Sequence, residues 1–274
     1  MKILKILNNN AVVVRDGQEE KIAIGTGIAY GKKKNDVVNQ QKIEKLFVMK
    51  ENEKLQQLLN RIPEEHFIIS EKIITYAEEY IGSKLNEHIH IALTDHLSFA
   101  IEREQEGIHL KNKLLHEIKI LYKQEYEIGI WALRYIKEKC NIELPIDEAA
   151  YIALHIHTMK DQGSDMRQTV IQTTIIRDIV QTITEFLKIH IHEDDISYHR
   201  LITHLRFALT RMNQNELHTM DNEMIEMIKK KFPLSYQCAT EVAKNILSSY
   251  RITLPEHELG YITLHIERLR KQWG

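Results

Sequence analysis

Histidine is the chemically suggestive residue of this chain, and four of its 15 histidines stand at matched places in two copies of one sequence unit. Tyr151-Ile152-x-Leu154-His155-Ile156 returns as Tyr261-Ile262-x-Leu264-His265-Ile266 at an offset of 110 residues (265 − 155), and Pro145 falls on Pro255. Upstream, Asp95-His96-Leu97-Ser98-Phe99-Ala100 returns as Thr203-His204-Leu205-Arg206-Phe207-Ala208 at an offset of 108 (204 − 96). A lone histidine on an apolar helix face is ordinarily a core residue. Two positions kept in both copies argue for use instead. Imidazoles so placed suit acceptance of a phosphoryl group: one nitrogen of the neutral ring attacks, while a hydrogen bond to the other fixes the tautomer.

Metal binding is the competing chemistry. His88-x-His90, His155-x-His157 and His190-x-His192 set histidines two apart, but residues i and i+2 lie on opposite sides of a helix and HxxEH-type spacings are absent. Asp95-His96 is also the reverse of the His-Asp dipeptide of helical metal phosphohydrolases. A helical metal-dependent phosphohydrolase is therefore the weaker alternative, and neither metal nor cofactor is expected. Neighbours on a helix point apart, so Asp95 is expected to serve a group other than His96. His109 and His218 fall where the offset changes and align only loosely.

The elements that must hold these rings read as helices. Amphipathic patterns cover 68–81, 91–101 with His96, 114–122 and 128–139; Leu144-Pro145-x-Asp147 then signals the start of the His155 helix, with Asp147 as a capping acid. The same order recurs at 175–187, 196–211, 224–232, 239–250 and 256–269. Each copy spans roughly 100 residues, enough for its own core, which indicates a duplicated domain rather than a solenoid. Residues 158–169 read as the connection between copies, and 211–221 as a loop insertion. Leu55, Leu58, Leu59 and Ile62 form a helical stripe ended by Pro63, expected to link the first copy to what precedes it.

What precedes it reads as β. Short β-branched runs at 3–7, 11–14, 21–24, Val37-Val38 and 46–48 predict strands, and Arg15-Asp16-Gly17 predicts a turn. A β unit of about 50 residues buries little surface, so pairing with a second copy is expected. Asn8-Asn9-Asn10 is a turn on pattern alone. Gly25-Thr26-Gly27 permits a close backbone approach but matches neither a Walker loop nor a dinucleotide fingerprint. Tyr30 precedes the basic run Lys32-Lys33-Lys34. Amides for base edges, glycines for close approach, an aromatic for stacking and lysines for phosphates together resemble an RNA surface.

Composition is consistent with this. At 274 residues, 43% hydrophobic with 10 Gly and 4 Pro, the chain suits two or three helix-rich domains. Cys140 and Cys238 do not match in the repeat, so no disulfide framework is expected, and the setting is read as reduced and cytoplasmic. No apolar run is long enough for a membrane span, and no secretory signal is seen at the start. Residues 1–55 hold eleven Lys/Arg against seven Asp/Glu, an excess of +4, leaving −6 (26 against 32) on the remainder. That local basic excess is compatible with nucleic acid.

MKILKILNNNAVVV, GTGIAYGKKKNDVV and KIEKLF at the front, TDHLSFAIER and YIALHIH in the middle, and THLRFAL and YITLHIER behind resemble the BglG/SacY family of transcriptional antiterminators, its sucrose-operon members most of all. The resemblance covers the whole chain. It implies a multidomain β plus all-α protein: a small antiparallel β co-antiterminator RNA-binding domain over 1–55, dimeric, then two duplicated helical-bundle phosphotransferase-system regulation domains over 56–168 and 169–274. RNA contacts carried over from the family fall on Lys5, Asn8, Asn10, Gly25, Thr26, Gly27 and Tyr30; some members have Arg at the place of Thr26 and Phe at that of Tyr30. Phosphorylation sites carried over are His96, His155, His204 and His265. The resemblance further implies a leader-mRNA hairpin as target, HPr and a sugar-specific enzyme II as phosphate donors, sucrose or a β-glucoside as the signal, a homodimer, and neither enzymatic turnover nor DNA binding. A DNA-binding activator with the same regulation domains is the other alternative, and calls for a helix-turn-helix where this chain predicts strands.

Overall fold

The computed structural model describes residues 1–17, 19–48, 58, 61–160, 165–192, 194–213 and 220–273. They fall into two compact units: Met1–Lys111 with Glu127–Gly163, and Asn112–Tyr126 with Ser164–Gly274.

The first unit opens with an antiparallel meander, β1 (Lys2–Asn8), β2 (Ala11–Asp16), β3 (Glu19–Ile24) and β4 (Lys45–Val48), neighbours in that order. Its alternation is clean. Ala11, Val13, Ile22, Ile24 and Phe47 form one apolar cluster with Ile62 and Phe67, while Val12, Val14 and Ala23 form another with Ile3, Ile28 and Val38. The period-two pattern thus buries both faces of the central strands. The strand expected at Val37-Val38 is reduced to a single bridge, Lys2 to Val37. Asn35 at φ +78° just before it and the 3-10 turn Gln40–Lys42 just after leave no run of extended backbone to pair. Gly25 is required by packing: a Cβ there would collide with the Lys42 carbonyl oxygen.

The helices of this unit are α1 (Glu64–Ile81), α2 (Ile89–Gln105), α4 (Lys123–Cys140) from Glu127 onward, and α5 (Asp147–Thr158). Pro63 starts α1 rather than merely ending what precedes it, and Gly82 in left-handed geometry stops it. Ile73, Leu93, Leu97, Ile128, Ile152 and Ile156 share one core. Gly129 lets α4 approach α5, since a Cβ there would run into the Ala149 carbonyl oxygen. Asp147 is the first residue of α5 rather than its cap. With Glu148 it places negative charge in the first turn, where unsatisfied N–H groups favour it.

The second unit contains α3 (Leu115–Leu121), α6 (Met166–Leu187), α7 (Ile196–Asn213), α8 (Asn222–Lys231), α9 (Pro233–Tyr250) and α10 (Glu256–Trp273). Asp165 and Asp221 cap α6 and α8 by accepting from backbone N–H groups of Arg167 and Glu223. Helix α6 packs on α9, α7 on α10, and α3 lies against α6 and α7. The break read at 158–169 is shorter, because α5 runs to Thr158 and Asp165 already caps α6; residues 161–164 lie outside the described residues. Of the insertion read at 211–221, the first three residues continue α7, while 214–219, including His218, lie outside the described residues. In the linker stripe Leu58 and Ile62 are buried, and Leu55 and Leu59 lie outside the described residues. Among the described residues no helix is long and apolar enough to cross a membrane.

Candidate phosphate-acceptor sites and RNA surface

The four duplicated histidines come together in pairs, one pair per unit. On α2, His96 faces His155 of α5 with ring centroids 4.9 Å apart; on α7, His204 faces His265 of α10 at the same 4.9 Å. Tyr151 and Tyr261 flank His96 and His204, each 5.6 Å away. All four rings are half-buried rather than enclosed.

Each pair is built around a buried carboxylate. Glu148 of α5 lies with Oε2 3.0 Å from His96 Nε2 and Oε1 2.5 Å from Arg103 Nη2; in the second unit Glu258 Oε2 is 3.3 Å from His204 Nε2, with Oε1 2.8 Å from Arg211 Nη2. The glutamates are 1% and 2% exposed. Each His-Glu contact is at ion-pair distance but off the line of a good hydrogen bond, and neither atom has another partner among the described residues. Burying a carboxylate is unfavourable unless it is paired. The arginine supplies the countercharge, and the first turn of α5 or α10 adds the helix dipole.

Electrostatics separates the members of each pair. Burial, reinforced by the adjacent His96, pushes His155 down to about 3. Burial, with His204, Arg268 and Arg200 nearby, pushes His265 down to about 4. Both rings are therefore neutral at physiological pH, as a nucleophilic imidazole must be. Burial alone would raise Glu258, but the adjacent His204 and the Arg211 hydrogen bond outweigh it and hold the carboxyl at about 2.

Glu148, Glu258, Arg103 and Arg211 were not singled out from sequence, although the repeat carries the signal. Glu148 and Glu258 share the 110 offset and precede His155 and His265 by seven residues, two turns on one helix face; Arg103 and Arg211 share the 108 offset and follow His96 and His204 by seven. Asp95 turns away from His96 and pairs with Arg61 at 2.6 Å. His109 is an exposed partner of Glu104 at 3.0 Å. Of the closely spaced histidines, His90 pairs with Glu71 at 2.6 Å, and His192 packs on Trp273, with the His190 ring edge-on to that of His192 at 6.1 Å. Among the described residues no group of three or more His, Cys, Asp or Glu is arranged to hold a metal ion.

At the end of the sheet the Asn8–Asn10 turn is laced to the loop after β3. Asn8 Oδ1 accepts from Asn10 N–H at 2.9 Å, Asn10 Oδ1 accepts from Gly27 N–H, and Gly25 N–H donates to the Asn10 carbonyl at 2.9 Å. Thr26 donates through N–H and Oγ1 to Glu44, each at 3.0 Å. Five of the seven expected RNA residues, Asn8, Asn10, Gly25, Thr26 and Gly27, therefore form one connected patch. Tyr30 follows on the same loop, 80% exposed, and Lys5 stands exposed on β1. Asn10 is turned inward, 7% exposed, with Nδ2 donating to Glu64 of α1 at 2.6 Å. Asn10, Gly25 and Thr26 line one cleft with Phe67, Glu71 and Lys72 of α1. No pattern in the sequence points to Glu64.

Residues 1–56 match the CAT RNA binding domain, and residues 71–159 and 177–269 match the PRD domain. Transcription antiterminator LicT of Bacillus subtilis (strain 168) is 39% identical over 277 residues, covering 99% of this chain and 100% of that protein. The beta-glucoside operon antiterminator of Dickeya chrysanthemi is 37% identical, covering 99% of this chain and 98% of its own. Among solved structures, GlcT CAT-PRDI superposes with a TM-score of 0.55 at 39% identity, covering 59% of this chain and 98% of that one. A sheet that carries the RNA-binding signature, followed by two helical domains each built on a paired-histidine site, places this chain in the BglG family of transcription antiterminators, to which it belongs.

Proposed function

We propose that this protein, as a homodimer in the cytoplasm, clamps a leader-RNA hairpin whose formation excludes an overlapping terminator, and that phosphate on its histidines sets whether it does so. Lys5, Asn8, Asn10, Gly25, Thr26, Gly27 and Tyr30 form the RNA contacts. His96 and His155 receive inhibitory phosphate directed by a sugar-specific enzyme II, and His204 and His265 receive phosphate from HPr. The protein turns over no substrate. The domains fall at 1–55, 56–168 and 169–274.

The observation that carries this reading is the twice-built pair of half-buried imidazoles against a charge-balanced Glu-Arg couple. A phosphate brings about −1.5 to −2 charges. It arrives in a site whose buried carboxylate and arginine already balance each other, so it shifts the site toward negative charge. Where two such groups lie about 8 Å apart at an effective dielectric near 20, each unit pair repels by about 2 kcal/mol. Several such terms suffice to reverse a two-state population.

The test is peptide mass spectrometry of the full chain after incubation with phosphorylated HPr and enzyme II. Phosphate is expected on His96 and His155 when enzyme II is present and on His204 and His265 with HPr. Absence of phosphohistidine at all four positions rejects the reading.

A further inference from the structure

Resting on the acceptor reading of these rings, we propose that the two histidines of each site take phosphate on opposite ring nitrogens: His96 and His204 on Nδ1, His155 and His265 on Nε2. His96 Nε2 is buried 3.0 Å from Glu148 Oε2, and His204 Nε2 is buried 3.3 Å from Glu258 Oε2. At that separation a ring lone pair and a carboxylate oxygen repel each other, so the ring hydrogen sits on Nε2 and the lone pair on Nδ1. These side chains are 17% and 19% exposed, and Nδ1, unlike Nε2, is not among the buried unpartnered atoms. The nucleophilic nitrogen is thus the one a donor can reach.

His155 and His265 are arranged the other way round. Their Nδ1 atoms are buried without a hydrogen-bond partner among the described residues, whereas Nε2 is not among the buried unpartnered atoms. A phosphoryl group cannot be delivered to an enclosed nitrogen, so Nε2 receives it. Both units give the same assignment although they differ at Asp95 and Thr203, which ties it to the His-Glu-Arg arrangement they share.

The transfer balances without any proton changing hands. The donor is a phosphohistidine whose ring is protonated on its other nitrogen. The lone pair of His96 Nδ1 forms the new N–P bond as the donor's N–P bond breaks, its electron pair staying on the donor nitrogen. The donor leaves as a neutral imidazole. The positive charge that passes to the His96 ring is met at Nε2–H by the Glu148 carboxylate, and Glu258 does the same for His204. Glu148 and Glu258 are accordingly positioning residues: they choose the tautomer and steady the charged ring.

The experiment uses the full, unsubstituted chain, phosphorylated with phospho-HPr and enzyme II and digested at alkaline pH. Antibodies that distinguish Nδ1- from Nε2-phosphohistidine sort the peptides before mass spectrometry. At His96 and His204 the Nδ1 isomer should exceed the other by about tenfold or more, the bias that about one pKa unit of ion-pair preference for hydrogen on Nε2 imposes. At His155 and His265 the Nε2 isomer should prevail. The reverse isomer at any of the four overturns the assignment for that pair. No phosphohistidine at all would instead remove the acceptor reading itself, and the assignment with it. Glu148→Gln should move the isomer ratio at His96 toward even while leaving His155 on Nε2; an unchanged ratio overturns the positioning role. Independently of any variant, long-range ¹H–¹⁵N spectra of the histidine-labelled chain at pH 8 should place the hydrogen on Nε2 of His96 and His204, and a hydrogen on Nδ1 would overturn it.

Discussion

Arg103 holds the Glu148 carboxylate at 2.5 Å, and that carboxylate is 1% exposed. One residue reaches it from α2 and the other sits in the first turn of α5, so the pair fastens the two helices that carry His96 and His155. Removing one partner of a buried pair strands the other, at a cost of about 3 to 5 kcal/mol. Arg103→Met should therefore be severely destabilised in urea unfolding, and Arg103→Met with Glu148→Leu should recover much of the loss. A double variant as unstable as the single one would show that the pair is not what fastens these helices.

Acid should weaken the fold before it reaches the usual carboxylate range. His155 and His265 are held at about 3 and about 4, below the ordinary 6.5 of the unfolded chain. The unfolded state therefore takes up protons first: stability is full above pH 6.5 and is lost as pH falls toward the folded values. Glu258, held at about 2 against an ordinary 4.5, extends the loss to lower pH. Between pH 7 and pH 5 each ring should cost on the order of 1 kcal/mol, allowing for partial solvent screening. Thermal unfolding of the parent and of His155→Gln with His265→Gln checks this. The variant should lose much less over that interval, and parallel losses would exclude these rings as the cause.

An RNA base must compete with Glu64 for Asn10, whose Nδ2 donates to Glu64 at 2.6 Å while its Oδ1 accepts from Gly27 N–H. A hydrogen bond to a charged group is worth about 1.5 to 3 kcal/mol, less where water reaches it. Glu64→Ala should raise the hairpin affinity of the full chain by about tenfold, measured by fluorescence anisotropy at fixed salt. Unchanged or weaker binding would mean that α1 does not compete for the patch.

Gly129 marks where α4 meets α5. A methyl group there would overlap the Ala149 carbonyl oxygen, a backbone atom that cannot swing aside. Gly129→Ala should cost about 1 to 3 kcal/mol by overpacking. It should also slow phosphate uptake at His155, which α5 carries, more than at His265. Equal stability would show that the helices separate freely.

The β-then-α order was legible in the sequence because its signals are local. Val12, Val13 and Val14 on β2 read as strand from β-branching, and stripes such as Ile69, Ile73 and Ile74 read as helix from spacing alone. The histidines were legible because the repeat doubles them. Glu148 and Arg103 were not, since each is one charged residue among many until folding brings α2 against α5. Val37-Val38 had strand composition, but Asn35 and the turn at Gln40–Lys42 decided the backbone there. The Asn10–Glu64 contact joins positions 54 residues apart, and no periodicity spans that distance.

The central claim is that charge placed on His96 turns RNA clamping off. It is tested most directly by transcriptional read-through of a terminator-reporter fusion in cells carrying His96→Ala, grown without the inducing sugar. Read-through at the induced level is the predicted result. Read-through that still depends strictly on the sugar would contradict the account.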